Sequence, residues 1–167
     1  IRYPEARFGL VRLGIGLYGL WPSEPLQAWA AKNMPQLRLV PALAWKARIS
    51  QVKTVPRGTA VGYGGTWVAK RPARIAVIPV GYGDGYYRSW SNTAWVVIRG
   101  HRAPVVGRIS MNLFMVDVTK IPRVRRDDIV TLLGPGISSD TLAQLGYQTL
   151  HYEVTTTIHP AIPRIVI

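Results

Sequence analysis

The chain has no cysteine. Disulfides, thiolate nucleophiles and cysteine–zinc sites are therefore excluded. Acidic side chains are few: eight Asp and Glu stand against 21 Lys and Arg, for a net charge of +13. No apolar run reaches the roughly 18 residues that a membrane-spanning helix needs. The opening Ile1-Arg2-Tyr3-Pro4-Glu5 lacks the charged-then-apolar layout of a signal peptide. A cytoplasmic address is the default expectation. The first residue is not methionine, and the sequence reads as a fragment of something longer. His101, His151 and His159 show no metal-ligand spacing with carboxylates. They read as ordinary surface or strand residues, and no metal is expected.

What is present suits a folded domain. Apolar residues make up 48% of 167, and charged residues 17%, enough to bury a core and too apolar for a disordered tail. The positive charge is scattered. Its densest run, Arg123-Val124-Arg125-Arg126, is followed at once by Asp127-Asp128. No RNA-recognition, zinc-finger or helix-turn-helix signature accompanies it. A solvated basic surface, or one that meets an acidic partner, is favoured over a nucleic-acid groove.

Residues 9–20 read as a short apolar strand broken by glycines, and Ser23-Glu24-Pro25 as the start of a helix through Ala31. Residues 42–55 alternate in the manner of one long strand. Further strands are expected at 74–80, 94–99, 103–109, 113–118 and 128–133, with turn residues between them. Ser138 or Ser139 caps a helix that Gly146 stops. Two last strands are expected at 151–158 and 164–167. The predicted fold is mainly β, an antiparallel barrel or sandwich. The boundary falls between residues 34 and 40, dividing the end of an α/β unit (1–36) from a β-domain (37–167).

Three segments carry the chemistry: Val61-Gly62-Tyr63-Gly64-Gly65-Thr66-Trp67, Val80-Gly81-Tyr82-Gly83-Asp84-Gly85-Tyr86 and Gly107-Arg108-Ile109-Ser110-Met111-Asn112. A glycine beside an aromatic lets the backbone turn tightly and turns the ring away from the core. Asp84 is expected to brace its own turn. Together with Val11-Arg12-Leu13-Gly14-Ile15-Gly16-Leu17-Tyr18-Gly19, Tyr152-Glu153-Val154 and Pro163-Arg164, in this order and at this spacing, the segments resemble alanine racemase. That pyridoxal-phosphate enzyme makes D-alanine for the peptidoglycan of bacterial walls.

The resemblance implies a (β/α)8 barrel that carries the cofactor lysine, followed by a β-domain. It implies a head-to-tail homodimer in which each active site draws on one subunit's barrel and the other's β-domain. This chain then looks like the last barrel strand plus the β-domain, inactive alone. None of Lys32, Lys46, Lys53, Lys70 or Lys120 sits in a context like that of the cofactor lysine. Tyr63 matches the catalytic tyrosine, one of two bases, with nearby positive charge needed to stabilise its phenolate. Arg12 matches the arginine that faces the pyridine nitrogen and, being always charged, keeps it unprotonated. Gly14 and Ile15 match backbone donors to the cofactor phosphate, and Tyr152 matches a tyrosine that reaches it. Met111, through its N–H, and Tyr82 match substrate-binding residues contributed across the dimer. Arg108 belongs, on this reading, to the channel that admits a carboxylate.

Two departures stand out. The residue after Met111 is usually aspartate in that family and here is Asn112. The family's Arg-Val-Pro-Arg ending is here Ala161-Ile162-Pro163-Arg164. A serine or broad-specificity racemase of the same family stays open, as does a non-catalytic β-domain that binds a partner or nucleic acid.

Overall fold

The computed structural model describes residues 3–146 and 148–166. The chain divides into two compact units, Ile1–Leu43 and Ala44–Ile167.

In the first unit, segment 9–20 is not the expected strand. Ile15–Tyr18 make a turn of 3-10 helix, and Gly19 ends it in the left-handed region at φ 70°. The glycines that break the apolar pattern give a sheet neighbour little to pack on. At Gly19 the backbone passes so near Val40 that a Cβ would stand 1.7 Å from its carbonyl oxygen. Helix α1, Glu24–Asn33, starts where its signals put it. Ser23 Oγ accepts from the Leu26 N–H, and Pro25 occupies the first turn, where its missing N–H costs nothing.

The second unit holds nine strands among the described residues: β1 (Trp45–Arg48), β2 (Gln51–Val55), β3 (Ala60–Val61), β4 (Trp67–Val68), β5 (Ala73–Ile78), β6 (Trp95–Ile98), β7 (His101–Pro104), β8 (Phe114–Asp117) and β9 (Ile129–Leu133). They form a four-stranded sheet in the order β1-β9-β6-β7, a three-stranded sheet β2-β5-β8 and a hairpin β3-β4. Every pairing is antiparallel. The predicted long strand at 42–55 is two strands in different sheets. The change comes at Ile49–Ser50. Ile49 exchanges backbone bonds with Asp127 and Asp128 beside β9, whereas the Ser50 N–H and Oγ both donate to Val77 O on β5. A strand that switches sheets makes a corner between them. At the other edge Val105 bridges to Val116. The two sheets are thus linked at both edges without closing into one continuous barrel ladder.

The inward faces supply the core: Ile75, Ile78, Val96, Ile98, Phe114, Val116, Val130 and Leu132 are buried. Tyr86 and Trp90 join them. Tyr86 stacks on Phe114 at 4.5 Å between centroids and meets Trp90 edge-on at 4.9 Å. Burying side chains of this size contributes about 1.5–3 kcal/mol each.

Helix α2, Ser139–Gln144, has Ser138 as its cap, with Oγ accepting from the Thr141 N–H. The expected strand at 151–158 is instead helix α3, His151–Thr156. The β-branched run Val154-Thr155-Thr156-Thr157 suggested a strand. In the helix the threonine hydroxyls donate back to carbonyls one turn earlier, Thr155 and Thr156 to Tyr152 O at 2.9 Å and Thr157 to Glu153 O at 2.7 Å. Val154 and Thr155 are buried where α3 packs on α2. Residues 164–166 form no strand, and Ile167 lies outside the described residues. Among the described residues no helix is long and apolar enough to cross a membrane.

Candidate active site

The β3–β4 hairpin presents Tyr63. Its base is pinned by Val61, buried with Ala69, Ala73, Ile75 and Val106, and by the half-buried Trp67. Its tip is Gly62-Tyr63-Gly64-Gly65, whose three glycines have φ of 77°, 70° and 57°. Side chains are strained in that region, so the tip can carry one ring and little else. Tyr63 is 72% exposed, and its hydroxyl has no hydrogen-bond partner among the described residues.

Segment 107–112 is where the glycine loops meet. A Cβ on Gly62 would stand 3.0 Å from Arg108 N and 3.3 Å from Gly107 Cα. One on Gly64 would stand 2.7 Å from Arg108 Nη1. The Arg108 guanidinium therefore lies against the tip that bears Tyr63. It forms no ion pair among the described residues. From the other side, the Tyr82 N–H donates to Ser110 O at 3.0 Å and the Gly83 N–H to Met111 O at 2.8 Å. Asp84 Oδ2 accepts from the Gly81 N–H at 2.8 Å, which braces the Tyr82 loop as expected. Met111 is exposed, and its own N–H donates to no acceptor among the described residues. Tyr82 is half-exposed and lines a cavity of about 500 Å³ with Tyr87, Arg88, Leu145, Thr149 and Glu153.

Tyr152 sits on α3, not on a strand, and its hydroxyl is unpartnered among the described residues. The helix is tied to the Tyr82 loop. The His159 N–H donates to Asp84 O at 3.0 Å, the Tyr87 hydroxyl is hydrogen-bonded to Thr157 Oγ1 at 3.1 Å, and a Cβ on Gly85 would meet Thr157 O at 2.3 Å. His151 is neither a strand nor a surface residue. Its ring is largely buried at the start of α3, with Nδ1 3.5 Å from Asp140 and Nε2 unpartnered.

In the first unit Arg12 is exposed and without an ion pair among the described residues. Gly14 precedes the 3-10 turn, and a Cβ there would meet nothing within 4 Å. The N–H groups of Gly14 and Ile15 donate to no acceptor among the described residues.

The structure thus brings together Tyr63, Arg108, Met111 and Tyr82, and ties Tyr152 to them through α3. In the second unit the uncommitted groups are the Met111 N–H, the Arg108 guanidinium and the phenols of Tyr63, Tyr82 and Tyr152. Such a set suits anionic ligands. No group of His, Asp and Glu that could hold a metal occurs among the described residues. Sequence reasoning missed Ser91 and Asn92. Ser91 Oγ accepts from the Ile109 N–H at 3.0 Å; Asn92 Oδ1 accepts from the Gly107 N–H at 2.6 Å while its Nδ2 donates to Thr66 Oγ1 at 3.1 Å. Ser-Asn-Thr reads as a plain turn, and nothing local marks partners 15 to 26 residues away.

Residues 42–166 match the model of the alanine racemase C-terminal domain. Over 160 residues the chain is 48% identical to an alanine racemase of Methylacidiphilum infernorum, which covers 92% of this chain and 38% of that protein. Its structure matches an alanine racemase of Clostridium difficile 630 with a TM-score of 0.86 at 33% identity, over 96% of this chain and 40% of that one. It matches that of Bartonella henselae, solved with covalently bound pyridoxal phosphate, with a TM-score of 0.82 at 32% identity, over 95% and 42%. The chain spans about two fifths of the length of the curated relatives it matches. With most of its length inside that domain model, the chain belongs to the alanine racemase family and carries the family's C-terminal domain at residues 42–166.

Proposed function

We propose that these residues are the C-terminal part of a pyridoxal-phosphate-dependent alanine racemase, an isomerase that supplies D-alanine to peptidoglycan. The observation that carries this reading is the unpartnered Tyr63 phenol, held on a glycine tip against the Arg108 guanidinium, in a segment that also carries the uncommitted N–H of Met111. Tyr63 takes or returns the α-hydrogen on one face of the substrate. A lysine from outside these residues serves the other face. The Arg108 guanidinium lies against the tip that carries this phenol.

The residues present fit the cofactor. Its phosphate needs N–H and hydroxyl donors, and Gly14, Ile15 and Tyr152 offer them uncommitted, with open space at Gly14. Arg12, always a cation and a donor, would face the pyridine nitrogen and keep it unprotonated. When bound, the cofactor acts as the electron sink that acidifies the α-carbon. The Met111 N–H binds the substrate carboxylate, Tyr82 narrows the mouth, and Arg108 draws the anion in. In a head-to-tail homodimer, Tyr63, Tyr82, Arg108 and Met111 serve the partner's cofactor, and residues 1–36 end the (β/α)8 barrel. A cytoplasmic address suits an enzyme that works on free alanine.

The test is D-alanine formation from L-alanine with added pyridoxal phosphate. The complete protein is expected to be active and the 167 residues alone inactive. In the complete protein Tyr63→Phe should lower kcat by about 10²–10⁴, the usual range for a general base, without changing thermal stability, since the hydroxyl has no partner to lose. Clear activity from the 167 residues alone would falsify the reading. Turnover of serine and lysine, compared with alanine, sets the substrate class.

A further inference from the structure

We infer that Asn92 is a positioning residue, whose side-chain amide holds the Tyr63 tip in register with the Arg108 segment. This rests on the racemase reading above. The amide bridges two loops at once. Its oxygen accepts from the Gly107 N–H at 2.6 Å, and its nitrogen donates to Thr66 Oγ1 at 3.1 Å. Thr66 follows Gly65, and Arg108 follows Gly107. The two bonds therefore fall one residue from the guanidinium on one side and three from the phenol on the other.

The Tyr63 tip needs such a restraint. Its three glycines carry no side chains to pack, and glycine gives up more conformational freedom than any other residue when it is fixed. The packed part of the hairpin ends at Val61 and Trp67. Gly107 is buried, and its N–H has Asn92 as its acceptor. Asn92 itself sits at φ 61°, a conformation that asparagine accepts more readily than most side chains. Its residue type and its backbone therefore agree on the same role. The neighbouring Ser91 holds Ile109 independently, so segment 107–109 keeps an anchor when Asn92 is changed.

The experiment compares the complete protein with its Asn92→Gly, Asn92→Asp, Thr66→Val and Tyr63→Phe variants. Glycine suits the positive φ and removes both bonds. Asn92→Gly should lower kcat by about tenfold or more, as small misplacements of reacting groups do, with KM nearly unchanged. Amide exchange at residues 62–66 should speed up severalfold, and that readout does not depend on turnover. Thr66→Val, which cuts one bond at an exposed site, should move both readouts the same way by less. It carries the test if the glycine variant folds poorly. Asn92→Asp can still accept from the Gly107 N–H and the Thr66 hydroxyl. It should restore slow exchange, while its negative charge moves the acidic limb of the kcat/KM profile to higher pH. Wild-type kcat and wild-type exchange in Asn92→Gly overturn the inference. So does a fall in kcat with exchange at 62–66 unchanged. If the wild type does not racemise alanine, or Tyr63→Phe keeps full activity, the racemase reading has failed; the exchange readout then still decides whether Asn92 holds the tip.

Discussion

Gly81→Ala isolates the docking of the Tyr82 loop on segment 107–112. Gly81 has φ −148°, extended backbone that alanine adopts freely, so no dihedral strain enters. What alanine meets is backbone. Its Cβ would stand 2.2 Å from Ser110 O and 2.4 Å from the carbonyl carbon and oxygen of Met111. Non-bonded heavy atoms rest at about 3.5–4.0 Å, so one strand of chain must withdraw by about 1 Å or more. That movement stretches the bonds from Tyr82 N to Ser110 O and from Gly83 N to Met111 O, each worth about 0.5–1.5 kcal/mol net. Overpacking adds about 1–3 kcal/mol. The expected loss is therefore about 2–6 kcal/mol, read by urea unfolding of the complete protein. Activity should fall too, because the retreat moves Tyr82 and Met111 apart. A 1 Å misplacement of this kind costs on the order of 10²-fold in kcat/KM. Gly9→Ala, where a Cβ meets nothing within 4 Å, is the control. If Gly81→Ala unfolds at the wild-type urea concentration and keeps wild-type kcat/KM, the loops do not meet as described.

The Arg164 guanidinium donates to the carbonyls of Ile158, His159 and Ile162; Arg164→Ala should cost about 1.5–3 kcal/mol and speed protease cutting near residues 158–166, and an unchanged cutting rate would count against the clamp. Asp128 is held below the ordinary carboxylate range, chiefly by its hydrogen bonds from Arg99 and with help from the Arg125 N–H. Its folded value is the lower one, so its stabilisation is present above the unfolded value of about 4 and is lost as pH falls through the folded value. Asp128→Asn should therefore be less stable than wild type at neutral pH by a margin that narrows in acid, and a margin constant with pH refutes this. The Tyr86 hydroxyl is buried without a partner, and burial pushes its phenol up; Tyr86→Phe should unfold at the same temperature or a higher one, since removing an unpaired buried hydroxyl relieves its desolvation, and a clear loss of stability would reveal a partner.

How far the fold could be read from the sequence depended on whether each signal was local. Helices α1 and α2 were legible because Ser23 with Pro25, and Ser138 with Asp140, write the cap and first turn into consecutive residues. Helix α3 was not, because Val154-Thr155-Thr156-Thr157 has strand propensity. The decision came from hydroxyl back-bonds and packing on α2. The break at Ile49–Ser50 was invisible because alternation continues through it; the partners that separate β1 from β2 lie near residues 77 and 128. The same distinction divides the site. Glycines around Tyr63 and Tyr82 announced exposed rings in adjacent residues. That these rings converge on segment 107–112, and that Asn92 and Thr66 join the loops, follows from contacts between distant segments.

The two departures from the family pattern can be weighed in the same terms. Asn112 is exposed, and its side chain makes no hydrogen bond or ion pair among the described residues. The fold therefore draws no hydrogen bond or ion pair from this side chain among the described residues. Ala161 is exposed as well, and its N–H is satisfied by His159 Nδ1 at 3.2 Å. The turn that an arginine at 161 would have shared is held by Arg164 through three carbonyls. Both departures therefore fall where the domain places no demand of its own. On the racemase reading they act on what approaches the surface, a partner subunit or the anionic substrate. Substitutions Asn112→Asp and Ala161→Arg should then leave unfolding unchanged and act on KM, because a charge at the mouth alters how the anion is drawn in and not how the loops are held.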